Sequence, residues 1–472
     1  MKIYISFRQS GMYLLVAAIC MLADGCKKFT DVSPPSTQLV SETVFVSDNA
    51  LNSAIAGMYS TMITTNNTVF QLNLGLLPAT AGDELVYYGG NETYDPFFKN
   101  VVPADNALIQ TNWTALYKII FLANSIITGV EKSTGGLTES LKVQATAEAK
   151  FIRAFCHFYL VNLYGAVPIV TGIDAQVNNN LFRSSPALVY QQILDDLKSA
   201  QAGLREDYSV SGSERVRPNK YAATALLARA YLFTEDWTNA ELEATKVITK
   251  NTLYSLVPKA SISDVFVKNN TEAIFQMSSA QYVGFTLEGS NYVRFALPPA
   301  TPYFVLTNSL QNAFESTTDA RFVNWLKTVQ YTTDNVTSTF YYPNKYKQRL
   351  ATTTAAAEYF TFLRLGEQFL IRAEARAKLD NSSGAKADLD VIRLRANLQG
   401  TSATGIPDLL RAIERERRVE LFGELGHRWF DLKRTGRLDA VMSVEKPAWK
   451  SGAALFPIPL YELNNNTNLQ LN

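Results

Sequence analysis

The sequence predicts a mainly all-α protein built from helix pairs, with an irregular, loop-rich half suited to holding a ligand. Three observations point there. Ala-rich stretches of helical period recur in pairs joined by short turns. Two long aromatic-rich segments, 66–106 and 252–362, keep no sustained period of either kind. Past the first segment, no run of about 18 apolar residues occurs, so no transmembrane span is expected in the body of the chain.

The first segment opens with Lys2 and Arg8, continues with a short apolar run from Met12 to Ala23, and ends at Asp24-Gly25-Cys26. That is the layout of a secretory signal, and the run is too short to cross a bilayer comfortably. Gly25 before Cys26, with Leu22 and Ala23 upstream, resembles the lipobox at which bacteria cleave the signal and attach lipid to the new N-terminal cysteine; Asp24 stands where a small residue is usual. The expectation is a signal over 1–25, lipidation at Cys26, and a polar tether over 26–40. Several acyl chains would hold that end stably, because each buried methylene contributes about 0.8 kcal/mol.

Two large regions follow, 41–250 and 251–472. A helix is expected from about Ser41, where Ser41 or Thr43 could cap and Ala50, Ala54, Gly57 and Met58 recur at helical spacing. Trp113, Leu116, Tyr117, Ile120 and Ala123 form one helical stripe, and Leu141, Ala145, Ile152, Phe155 and Tyr159 form its partner, stopped by Gly165 and Pro168. The arrangement recurs: a helix over Tyr190 to Leu204; Tyr221 to Phe233 with Asn239 to Ile248; and Leu365 to Leu379 with Ala385 to Ala396. Such pairs are tetratricopeptide-like, although the spacing is uneven and the full 34-residue pattern is never met. A strand is expected over Ala273 to Met277.

Composition narrows the function. Lys plus Arg number 44 against 43 Asp plus Glu, so no net field exists to hold a phosphate backbone, and no nucleic-acid partner is expected. Cys156 is the one cysteine outside the first segment, so a disulfide framework is not expected. There is no His-Glu-x-x-His, Cys-x-x-Cys, Gly-x-Ser-x-Gly, or phosphate-binding glycine loop, so no catalytic residue, metal or cofactor is assigned and the chain is expected not to be an enzyme. His157 and His427 are expected to be packed structural histidines, and Cys156 a core residue. The charge-dense Ile413 to Leu421 is expected to lace a helix surface through Glu414–Arg418 and Arg417–Glu420 pairs, or to bridge to the next element. Asp83-Glu84 lies in the aromatic segment, where a polar rim or ligand hydrogen bond is expected rather than the paired carboxylates of a glycosidase.

The aromatics carry the recognition signal. Tyr and Trp present flat apolar faces with polar edges, which suit the C–H faces of sugar rings or peptide side chains. Loops on a rigid helical scaffold are the usual place for recognition, so the two irregular regions are expected to share a binding face. Its candidate residues are Glu84, Tyr87, Tyr88, Tyr94, Phe98, Tyr282, Tyr292 and Tyr303.

Read in order, Phe29 to Pro34, Trp113 through Asn124, Arg153-Ala154-Phe155 leading into Leu163 to Pro168, Tyr221 to Trp237, Asp319-Ala320-Arg321, Arg372 to Ala375, Ile392 to Ala396, Glu414 to Phe430, Asp431 to Arg434 and Phe456 to Pro459 resemble the SusD/RagB family across essentially the whole mature chain. The resemblance implies a tetratricopeptide-like scaffold with an irregular ligand-binding half. It implies an outer-membrane lipoprotein, facing the cell exterior, that holds an oligosaccharide or other nutrient such as a peptide. It also implies a partner, a SusC-like TonB-dependent transporter on which the protein sits as a lid. By the same resemblance, aromatic platforms map to residues 84–98 and about 281–304. A tetratricopeptide-like protein-interaction scaffold, with dispensable loop tyrosines, is the alternative; a surface glycosidase is a third.

Overall fold

The computed structural model describes residues 45–64, 68–278, 283–292, 304–333, 335–354 and 356–471. The expected signal and tether with Cys26, and the candidates Tyr282 and Tyr303, lie outside them. Helix α1 (Asp48–Met62) begins at Ser47, whose side chain accepts from the Ala50 amide; Ser41 and Thr43 fall outside the described residues.

Residues 66–106 are not all loop. A π-turn over Val69–Asn73 runs straight into α2 (Leu74–Ala81), and β1 (Leu85–Tyr87) follows. Every residue from Val69 to Ala81 is buried, so the segment is apolar all round and shows no stripe.

The scaffold then runs through α3 (Ala107–Lys132), α4 (Glu139–Tyr164), α5 (Pro186–Gly203), α6 (Lys220–Phe233), α7 (Trp237–Ile248), α8 (Leu365–Lys378), α9 (Ser382–Arg395) and α10 (Ile406–Leu421), each packed on the one before it. Helix α3 is long and apolar enough to cross a membrane by length and composition alone. Half of its most apolar stretch is buried against its neighbours, as in the core helix of a globular protein.

The α6–α7 and α8–α9 pairs share one turn. Helix α6 ends with Glu235 in the left-handed region (φ 59°), and the Asp236 amide donates to the Tyr231 carbonyl at 3.0 Å; Asp236 then caps α7. Helix α8 ends with Asp380 at φ 59°, and the Asn381 amide donates to the Arg376 carbonyl at 2.8 Å; Asn381 then caps α9. Both are six-to-one helix terminations followed at once by a side-chain cap, which reverses the chain in three residues.

Bidentate guanidinium clamps fasten the layers. Arg153 of α4 holds Asp196 of α5 (2.8 and 2.6 Å), Arg229 of α6 holds Glu367 of α8 (2.6 and 2.7 Å), and Arg372 of α8 holds Asp388 of α9 (2.8 and 2.6 Å). All six groups are buried, where matched fork geometry is what keeps a charge tolerable.

Helices α7 and α8 touch although residues 249–364 separate them, so the whole second irregular region is an insertion between two neighbouring scaffold helices. Its strands, with β1, form three two-stranded antiparallel ladders among the described residues. β1 pairs with β3 (Phe304–Leu306). β2 (Ala273–Met277), where the sequence predicts it, pairs with β6 (Phe360–Arg364), which leads directly into α8. β4 (Leu326–Thr333) pairs with β5 (Val336–Pro343) as a hairpin.

Most charges of Ile413 to Leu421 face inward rather than lacing a surface, Arg415 being the exposed exception. Glu420 is fully buried and takes Arg321, Arg364 and Arg395, from three distant segments. Arg417 reaches Asp431 of α11 (His427–Arg434) at 2.7 Å. The Glu414–Arg418 and Arg417–Glu420 pairs along the helix give way to tertiary partners, and the bridge to the next element is made by Arg417–Asp431 and Glu414–Arg428.

Candidate ligand-binding site

The site grows from the β1–β3 ladder, which joins the two irregular regions: Leu85 lies opposite Leu306, Val86 opposite Val305, and Tyr87 opposite Phe304. Phe304 is the hub of an aromatic floor. Its ring centroid lies 5.0 Å from that of Tyr87, 5.4 Å from Tyr94 and 6.4 Å from Tyr292, and Tyr87 and Tyr94 are 5.6 Å apart.

Alternation along the strand sends the next residue the other way. Tyr88, 41% exposed, meets Phe340 of β5 edge to face with ring centroids 5.4 Å apart. Phe340 pairs with Val329 across the hairpin, and Tyr331 and Tyr342 join them in a small apolar cluster. The hairpin also exposes Thr328, Gln330, Thr332, Thr337, Ser338 and Thr339. An aromatic wall rimmed by hydroxyls and amides results, with Lys327, exposed and opposite Tyr342, at the base of the hairpin.

The candidates predicted from sequence separate accordingly. Tyr88 is exposed, and Tyr94 and Phe98 are half-buried. Phe98 lies beneath the Lys446 ammonium, 4.0 Å from its ring centroid. Tyr87 and Tyr292 are 4% and 3% exposed and belong to the floor; the β1–β3 pairing turns Tyr87 inward, and Tyr292, at the end of the helix Leu287–Tyr292, packs on Phe304. Glu84 is 1% exposed; its backbone carbonyl accepts from the Thr307 amide at 3.0 Å. Neither acid of Asp83-Glu84 forms a polar rim. Asp83 is buried between Arg418 (2.8 Å) and Arg428 (2.9 Å). Phe340 escaped the sequence reading, since the Tyr-rich 331–342 stretch gives no hint of which residue faces Tyr88.

Electrostatics separate the adjacent acids. Burial and the neighbouring Asp83 charge push the Glu84 carboxyl up to about 8, so it is protonated at neutral pH. Asp83 is held below the usual carboxylate range: Arg418 and Arg428 overcome the cost of burying its charge. His157 is buried and neutral; burial and then Arg153 push it down to about 3. Among the described residues, no group of three or more His, Cys, Asp or Glu is arranged to hold a metal.

Fold and geometry together define a tetratricopeptide-like scaffold whose insertion between two helices joins an aromatic layer with the segment around β1. Comparison with known proteins agrees. Residues 28–232 match a family described as starch-binding and associating with the outer membrane, and residues 306–472 match the SusD family. A SusD-like protein of Formosa agariphila is 25% identical, with 93% of this chain and 94% of the relative covered; a SusD-like protein of Bacteroides ovatus is 30% identical over 48% of this chain and 40% of the relative. Among solved structures, a SusD superfamily protein from Bacteroides vulgatus superposes with a TM-score of 0.79 at 19% identity, covering 91% and 99% of the two chains. A laminarin-binding SusD-like protein superposes with a TM-score of 0.72 at 24% identity, covering 90% and 99%. The chain belongs to the SusD/RagB family.

Proposed function

We propose that this protein is a lipid-anchored outer-membrane receptor that captures an oligosaccharide on the Tyr88–Phe340 wall and passes it, as a lid, to a SusC-like TonB-dependent transporter. The observation that carries the binding reading is the pairing of an exposed Tyr88 with Phe340 over a rigid aromatic floor. Flat rings with hydroxyl and amide neighbours match the alternating C–H and O–H surfaces of a sugar. The family description and the laminarin-binding relative support a glycan as the ligand.

No bond need be made or broken in this role. A ligand shared between lid and barrel stabilises the closed state over the open one, and only that difference in affinity can drive closure. The buried, arginine-bound Asp83 supports binding without chemistry, because its carboxylate is already committed to two guanidiniums.

Two measurements test the proposal. Incubation with laminarihexaose and maltohexaose, followed by chromatography, is expected to show saturable binding with the sugars recovered intact; cleavage products would contradict it. Expression of the full chain and of Cys26→Ser in a lipoprotein-processing bacterium is expected to place the first in the outer-membrane fraction and the second outside it. Equal fractionation of both would contradict anchoring through Cys26.

A further inference from the structure

At the opposite end of β1 from the aromatic floor lies a cavity of about 670 Å³, lined by Arg411, Arg415, Arg418, Arg428 and Arg437 together with Glu414, Glu445, Ser309 and Asn312. Its wall presents five guanidiniums against two carboxylates. In a chain whose charges otherwise nearly balance, that is a local concentration.

The ion pairs behind the wall are unevenly shared. Arg418 and Arg428 share Asp83, and Arg428 and Arg437 share Glu414, so three arginines divide two acids. Arg411 pairs with exposed Asp408 at the rim, and Arg415 leans on Glu315 at 3.5 Å, an acid that Arg393 already holds at 2.7 Å. Glu445 is engaged by the Ser309 hydroxyl at 2.6 Å. The Nε of Arg418 is buried without a hydrogen-bond partner. An unsatisfied buried donor on a charged group is costly. Burial holds the Arg418 guanidinium below its usual range despite Asp83, so a second anion has something to stabilise.

We infer that this cavity binds an oxyanion substituent of the ligand, a carboxylate or a sulfate ester, and so selects acidic sugars. The inference rests on the glycan reading above and adds a substrate class to it. Two or more guanidiniums converging on one oxyanion give short, charge-assisted hydrogen bonds, while Ser309 and Asn312 can meet the hydroxyls of the same sugar.

Trigalacturonate, a sulfated galactotriose and neutral galactotriose are titrated into wild-type protein and into Arg411→Ala/Arg415→Ala. These two rim residues are 69% and 45% exposed and outside the buried clamps, and thermal melting checks that the variant is folded. One charged trisaccharide is expected to bind about tenfold more tightly than the neutral one, with a gain that shrinks as salt rises and disappears in the variant. Which of the two gains names the oxyanion. Charged and neutral sugars of equal affinity, or a gain that survives in the folded variant, would overturn the inference while leaving glycan capture standing. Failure of all three sugars, and of laminarihexaose and maltohexaose, would overturn both.

Discussion

Tyr88 and Phe340 stand 252 residues apart in the chain and meet edge to face, 5.4 Å between ring centroids, where the β1–β3 ladder gives way to the β4–β5 hairpin. Phe340 supports Tyr88 from behind, and such a ring pair contributes roughly 0.5–1.5 kcal/mol beyond simple burial. Phe340→Ala is therefore expected to weaken oligosaccharide binding about tenfold with little change in melting temperature, because the hairpin cluster is small and set apart from the main core. Calorimetry and a thermal melt on the same sample check both halves.

The floor behaves in the opposite way. Phe304 is buried and touches Tyr87, Tyr94 and Tyr292, so Phe304→Ala leaves a cavity on three sides. It is expected to cost about 3–5 kcal/mol of stability. Urea unfolding measures it, and a loss under about 1 kcal/mol would mean that the floor is not packed as described.

Asp83 ties the start of β1 to α10 and α11 through Arg418 and Arg428. Asp83→Ala leaves two guanidiniums without their shared carboxylate, which is expected to destabilise the fold by about 3–5 kcal/mol. A variant that melts like wild type would show the pairs to be dispensable.

Stability should depend on pH from both sides. The Glu84 carboxyl titrates near 8 in the fold against 4.5 when free, so its contribution is full below 4.5 and is lost as pH rises through about 8. Glu84→Gln is expected to flatten that fall, roughly 1.4 kcal/mol for each pH unit between those values, and to be the more stable protein at pH 9. His157 runs the other way: its folded value near 3 against 6.5 means a contribution present above 6.5 and lost as pH falls toward 3. His157→Asn should lessen the acid-side loss. Chemical denaturation of the three proteins across pH 4 to 9 reads both slopes, and slopes identical to wild type would contradict the assignments.

Much of the scaffold was legible in the sequence. Helices α4, α6, α7, α8 and α9 follow from apolar stripes and turn residues that act locally; the first turn is marked by Thr234-Glu235-Asp236, while α9 begins at Ser382, three residues before the expected Ala385, because Asn381 caps it. What escaped was set by distant partners. The segment 69–81 has no stripe because it is surrounded, and β1 is three residues whose mate, β3, lies more than 200 residues away. The acids and arginines of α10 look like a solvated face until Arg321, Arg364 and Arg395 arrive from elsewhere. Tyr87 and Tyr88 are indistinguishable by composition. Strand pairing alone sends one into the floor and the other to the surface.

The central claim is that an exposed aromatic wall captures a sugar, and calorimetry of wild type and Tyr88→Ala against laminarihexaose, maltohexaose and short peptides tests it most directly. Saturable binding of a hexasaccharide, weakened at least tenfold in a Tyr88→Ala protein that melts normally, is the predicted result. Unaltered sugar binding in that variant, binding of peptides alone, or no binding by folded wild type would contradict it.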